Sequence, residues 1–295
     1  MNYKQSLGER TVDWLLYLLL AAVAFTTLYP FINLLVVSLN ETTDALKGKL
    51  YFIPRKFTWE NYTYVFENPV LFRATVNSVL RTVISTILSV FLSGMLAYVL
   101  SRRDFVFRKL FGLVLVISMY VSGGLIPTYL LIKNLGLMNS FWVYIIPGLV
   151  GAFNVFVMRT FFSQLPDGLV ESAHIDGAND FRIYTSIILP ISLPVIATIA
   201  LFVSVSEWNA WFDNYLYNSR NNKLNVLQFE LQKMVQAVTN NAASAEDMSI
   251  DAHRVITPQT IKATLTIVVT VPILLVYPFL QKYFVKGLTL GAMKD

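Results

Sequence analysis

Six long apolar blocks dominate the chain, each closed by charged or turn-forming residues: approximately Trp14–Leu39, Phe72–Leu100, Leu110–Ile132, Phe141–Phe162, Tyr184–Phe212 and Thr260–Tyr283. Crossing about 30 Å of hydrocarbon takes roughly 20 mostly apolar residues, and every block is that long. A lone segment in lipid satisfies its backbone polar groups only as a helix. The pattern therefore predicts an all-α integral membrane protein with six transmembrane helices. Pro30, Pro127, Pro147, Pro190, Pro194, Pro272 and Pro278 fall inside these blocks. Each removes one helix hydrogen bond and, taken singly, reads as an ordinary kink.

The polar stretches between the blocks set an orientation. The tight connection Ser101–Lys109 carries Arg102, Arg103, Arg108 and Lys109. Lys4 and Arg10 precede the first block, and Lys282, Lys286 and Lys294 follow the last. With six spans these groups share one side with the stretch Arg159–Arg182, and the excess of Lys and Arg makes that side cytoplasmic. Residues 1–13 then form a cytoplasmic N-terminus, 14–283 a single transmembrane domain and 284–295 a cytoplasmic tail. Two long segments, Asn40–Leu71 and Asp213–Pro258, lie outside. The first block is too long for a signal-peptide core and no small-residue cleavage site follows it, so it reads as a retained anchor.

Composition narrows the function. Hydrophobic residues make up 55% of the chain and charged ones only 14%, against about 25% charged in soluble domains; mean hydropathy is +0.57. The net charge of +5 does not fall in a basic stripe interleaved with aromatics, which argues against nucleic acid. Without cysteine there is no disulfide, thiol chemistry or zinc-thiolate site, and two isolated histidines, His174 and His253, make no metal cluster. The phosphate-cradling G-x-x-x-x-G-K-[ST] pattern is missing: Gly48-Lys49 has neither the preceding glycine nor the following hydroxyl. No catalytic set appears, so the chain reads as a non-enzymatic subunit whose energy comes from elsewhere.

One motif lies on the basic side, between the fourth and fifth blocks: Leu165-Pro166-Asp167-Gly168-Leu169-Val170-Glu171-Ser172-Ala173-His174-Ile175-Asp176-Gly177-Ala178-Asn179-Asp180. Pro166 ends the preceding helix, and Asp167 is placed to cap a new one. Leu169, Ala173 and Ile175 give that helix an apolar side, Gly177 permits its stop, and Asn179 or Asp180 can cap the next span. So short a helix is unstable alone and needs a partner.

Glu171-Ser172-Ala173, then Gly177, then Ile187 and Leu189-Pro190, resemble the EAA motif of ABC importer permeases, with Ser172 in place of the usual second alanine. Ala97-Tyr98-Val99-Leu100-Ser101-Arg102, Gly123-Gly124-Leu125-Ile126-Pro127-Thr128-Tyr129 and Trp208-Asn209 are similar to the carbohydrate-uptake (MalG-like) branch of that family. They are closer still to its members for complex or uronate-containing oligosaccharides such as alginate or aldouronate fragments. The resemblance implies a type I importer (MetI-like) fold whose coupling helix, about 167–178, docks on an ATPase subunit. Glu171 would face a basic residue there, with Ser172, Ala173, Asp176 and Gly177 in the same contact. The implied partners are a second homologous permease subunit, two ATPase subunits that bind ATP and Mg, and an external solute-binding protein, all at a bacterial plasma (inner) membrane. The tail Phe284–Asp295 also resembles that branch, where it reaches between the ATPase subunits, although Asp295 stands where glycine is usual.

A sugar path through lipid needs hydrogen-bonding groups and stacking rings. Candidates are Asn77, Ser78 and Arg81, Ser118 and Tyr120, Asn154, and Ser204, Glu207, Trp208, Asn209 and Trp211. Arg81 follows Asn77 by four residues, hence on one helix face, and could meet a sugar carboxylate, or instead be neutralised by Glu207. Trp208 and Trp211 read equally as interfacial anchors. In the last external segment Leu227, Leu231, Met234, Val235 and Val238 make a weak helical stripe. By resemblance that segment touches the binding protein; read plainly, it is a surface cap. The rival function is a secondary transporter or channel, which would call for inverted repeats or intramembrane acids.

Overall fold

In a computed structural model the described residues are 7–241 and 257–292; Lys4, His253, Lys294 and Asp295 lie outside them. The described chain is helical apart from one isolated bridge between Asn40 and Phe57. Helix α1 (Leu7–Ser38) is followed outside the first block by the short α2 (Thr42–Ala45) and α3 (Glu60–Glu67). Next come α4 (Pro69–Ser101), α5 (Arg108–Tyr120), α6 (Leu125–Asn134) and α7 (Ala152–Phe162). After them lie α8 (Gly168–Ile175), α9 (Asp180–Ile183), α10 (Leu189–Ile191), α11 (Leu193–Asn209), α12 (Leu227–Asn241) and α13 (Pro258–Ala292).

Among the described residues three stretches, Arg10–Ser38, Pro69–Ser101 and Pro258–Val276, are long and apolar enough to cross a membrane unbroken; counting each of three bent pairs as one span gives up to six. The expectation of six continuous helices therefore needs correcting at three places. Between α5 and α6 the chain turns by 116° through Val121–Gly124. Gly124 sits at φ +86°, a conformation that side chains disfavour. Pro127 falls in the first turn of α6, where a missing N–H costs nothing. The fourth span begins as two tight turns, Phe141–Tyr144 and Ile146–Gly148, and bends by 45° into α7. In the fifth, α9 widens through a π-helical turn (Tyr184–Ile188) into α10, then bends by 87° at Ser192 between Pro190 and Pro194. Helix α13, by contrast, runs through Pro272 and Pro278 and past the expected end at Tyr283.

The chain divides into two compact units, Met1–Asn68 with Lys233–Val271, and Pro69–Gln232 with Pro272–Asp295. In the first, Asn61 ties the loops together: its amide donates to the carbonyls of Ser38 and Asn40, at 2.9 and 3.0 Å, and its Oδ1 accepts from Thr42. Asn40 donates to Asp44 and Arg55 closes on the same carboxylate at 2.8 Å. These contacts, Arg55 foremost, hold the Asp44 carboxyl below its usual range.

The second unit is built on α4, which packs along α11 and α7. Leu71, Ala74, Ser78, Arg81, Ser85, Ser89, Ser93 and Ala97 are buried along one face. Helices in lipid gain little from excluding water, so close approach over small residues supplies the cohesion. Tyr184 is packed in that seam, its hydroxyl donating to the Phe91 carbonyl at 2.7 Å. A Cβ at Gly94 would lie 2.6 Å from that hydroxyl oxygen but 3.5 Å from Cζ. Gly94→Ala is therefore expected to cost about 1–3 kcal/mol, the usual penalty of overpacking. Tyr184→Phe should recover most of that loss. Thermal unfolding in detergent of both single variants and the double checks this; simple additivity would refute it.

Candidate functional site

Two groupings gather the candidate residues. The first is the elbow at α8. Asp167 takes a helical conformation and makes no side-chain cap, contrary to expectation; its carboxylate lies 3.8 Å from Arg103 instead. The inward side also differs from the expected one. Val170 and Ala173 are buried, packed in a cluster that includes Tyr98, Phe162 and Ile188, while Leu169 is 38% and Ile175 86% exposed. At the helix end the Gly177 amide donates to the His174 carbonyl at 3.0 Å and the Ala178 amide to Ala173 at 2.9 Å. With Gly177 at φ +80° this is a Schellman stop. Asn179 then caps α9, its Oδ1 accepting from the Arg182 amide at 2.9 Å.

The outward face thus carries Glu171, Ser172, Ile175 and Asp176, all exposed, with Ala173 beneath. The rear is fastened to the bundle. Asp180 accepts from the Tyr98 hydroxyl at 3.2 Å and lies 3.6 Å from His174, and Tyr98 stacks on Tyr184 with centroids 5.9 Å apart. The elbow is thus in contact with α4, and the chain leads from it through α9 and α10 to the head of α11.

The second grouping surrounds Arg81. Its Nε donates to Glu207 Oε2 at 2.7 Å, and Nη1 donates to Asp213 Oδ1 at 3.0 Å and to the Ala210 carbonyl at 3.3 Å. Nη2 donates to the other Asp213 oxygen, and the guanidinium lies 4.7 Å above the Tyr144 ring. Arg81 is only 3% exposed. Two carboxylates and a backbone carbonyl thus take four of its five N–H donors, and a ring covers its face. One turn away, the Asn77 amide donates to the carbonyls of Lys223 and Asn225, both at 2.9 Å. Ser78 accepts from the Leu227 amide at 2.8 Å. This face of α4 clasps the segment that follows α11.

The other path candidates are scattered. Trp208 is buried beside Thr82, Ser204 and Val205, while Trp211 packs on a cluster that includes Ile132, Val143, Tyr144 and Tyr217. Asn209 turns back to its own helix at the Val205 carbonyl, 2.8 Å. Ser118 does likewise at Leu115, and Tyr120 is 84% exposed. Asn154, half-buried on α7, folds over Gly151. Sequence reasoning missed Asp213 and Tyr144 as partners of Arg81. Asp213 lies beyond the extended Ala210 (ψ 129°) that ends α11, so helical spacing does not relate it to Glu207.

Residues 70–290 match the family described as binding-protein-dependent transport system inner membrane component. The chain is 39% identical to the polygalacturonan/rhamnogalacturonan transport system permease protein YtcP of Bacillus subtilis, covering 97% of this chain and 99% of that one. It is 28% identical to the arabinooligosaccharides transport system permease protein AraQ of Halalkalibacterium halodurans, over 96% and 97% of the two chains. The fold is similar to a chain in the crystal structure of a bacterial ABC transporter involved in the import of the acidic polysaccharide alginate. The TM-score there is 0.86 at 25% identity, covering 96% of this chain and all of that one.

Proposed function

Because the chain belongs to the binding-protein-dependent transport system inner membrane components, we propose that it is the permease subunit of an ABC importer for oligosaccharides, the uronate-containing class among them. The exposed Glu171–Ser172 face of α8, fastened from behind by Asp180 and Tyr98, is the observation that carries the reading. Glu171, Ser172, Ala173, Asp176 and Gly177 form the coupling contact with an ATPase subunit that binds ATP and Mg. Both termini and α8 then face the cytoplasm. A second, homologous permease completes the wall, and an external solute-binding protein delivers the sugar. The substrate class is supported by the pectic and alginate polymers named for its relatives.

Alternating access follows from rigid pieces and soft joints. Closure of the ATPase pair moves α8, and the motion divides at the bends of the broken spans. Non-helical backbone at membrane depth is tolerated where it is covered by protein or lines water. We place the sugar path along Val121–Gly124, which is exposed in this chain, and past Asn154, with Trp208, Asn209 and Trp211 supporting its wall. Arg81 is taken up by Glu207 and Asp213, which leaves the carboxylate of an acidic sugar to groups on the partner permease.

Co-expression with candidate ATPase and second-permease partners tests the whole reading. The expected result is a co-purifying complex that takes up uronate oligosaccharides in vesicles only with ATP inside and binding protein outside. Uptake by this chain alone, without nucleotide, would instead establish a secondary transporter or channel.

A further inference from the structure

The basic end of α4, the start of α5, the end of α7 and Val170 of α8 line a small cavity beside the elbow, which shares Tyr98, Phe162 and Ile188 with its seat. Its volume is about 160 Å³, and its lining includes Arg102, Arg103, Arg108, Arg159 and, as its sole acid, Asp167. Arg102 lies 3.4 Å from Asp104 and Arg103 3.8 Å from Asp167; among the described residues Arg108 and Arg159 have no carboxylate within 4.0 Å. Arg108 opens α5, whose N-cap, Phe107, offers no side-chain acceptor, so the positive end of the helix adds to the charge. Arg159 reaches across to α5 at Gly112. Its Nη1 lies 2.8 Å from where a Cβ on Gly112 would be, so an alanine there would push the end of this flexible side chain aside.

Beside this cavity, and sharing Tyr98 and Arg102 with it, lies a second of about 370 Å³, mostly apolar, lined by Met95, Val99, Phe105 and Phe181 and also by the carboxylates Asp104 and Asp180. An arginine-lined hollow next to an apolar one matches an amphiphile with a phosphate head. Basic pockets at the cytoplasmic ends of spans select anionic headgroups in this way.

We propose that this pair of cavities binds one anionic phospholipid, its phosphate held by Arg108 and Arg159 and its acyl chain against Phe105 and Phe181. The inference rests on the reading of this face as cytoplasmic and in contact with lipid. Its chemistry would also accept inorganic phosphate, and the test separates the two.

The assembled importer is exchanged into micelles containing phosphatidylcholine and phosphatidylglycerol, and retained lipid is counted by native mass spectrometry. The parent should keep phosphatidylglycerol selectively. Arg108→Gln with Arg159→Gln should weaken that retention about thirtyfold, as two basic residues near an anionic surface imply. Gly112→Ala, which crowds only the far end of the Arg159 side chain, should weaken it with every charge still present. Equal retention by the parent and both variants overturns the proposal, as does displacement of the lipid by excess inorganic phosphate. Failure of the transport reading would appear separately, as a complex that retains lipid yet neither binds an ATPase nor takes up sugar.

Discussion

Arg81→Leu should strongly destabilise the folded protein. The substitution leaves Glu207 and Asp213 side by side with no cation between them, Glu207 only 16% exposed. Removing one member of a buried ionic set costs on the order of 3–5 kcal/mol, a large share of the 5–15 kcal/mol that typically separates folded from unfolded chains. Lysine should rescue poorly, because a single ammonium cannot span two carboxylates and lie flat over Tyr144. The triple change Arg81→Leu, Glu207→Leu and Asp213→Asn should recover much of the loss, since an apolar replacement of a whole buried set is often neutral. Expression level and thermal unfolding in detergent report each case. A leucine variant that melts with the parent would show that Arg81 is not a structural tie.

Glu171→Lys should leave folding untouched and stop transport. Glu171 is exposed on α8 and makes no contact that holds the elbow to the bundle, so melting should match the parent. In the complex the new lysine would oppose the basic residue expected on the ATPase. Like charges placed face to face across an interface cost several kcal/mol, so uptake should fall by about two orders of magnitude while nucleotide hydrolysis continues. Uptake and hydrolysis measured on the same vesicles decide the matter, and normal uptake would remove Glu171 from the coupling role.

These two residues also show how much could be read in advance. Glu171 was legible because its motif is contiguous and the loop lies on the basic side. The inward face of α8 was not: in two turns, Leu169 with Ala173 and Val170 with Ala173 fit the helical period equally well, and packing under Tyr98 and Phe162 decided for Val170. The pairing of Arg81 with Glu207 was foreseen as one alternative, and Asp213 escaped because the partner is supplied by backbone that has left the helix. Each of the six apolar blocks falls on one long helix or one bent pair, and the breaks hid inside them. Hydropathy averages over Gly123-Gly124 and over Ser192, and prolines that read singly as kinks act in pairs at the 87° bend.

Helix α1 offers a last consequence. Its apolar stretch Arg10–Ser38 covers 29 residues with none of its most apolar window buried in the chain. At 1.5 Å per residue that is about 43 Å of rod in about 30 Å of hydrocarbon. Such an excess is absorbed by tilting or by local thickening of the bilayer, so acyl-chain length becomes a mechanical input. Lengthening the host lipids should bring this rod upright and alter the angle at which it enters the Asn40–Asn61 knot.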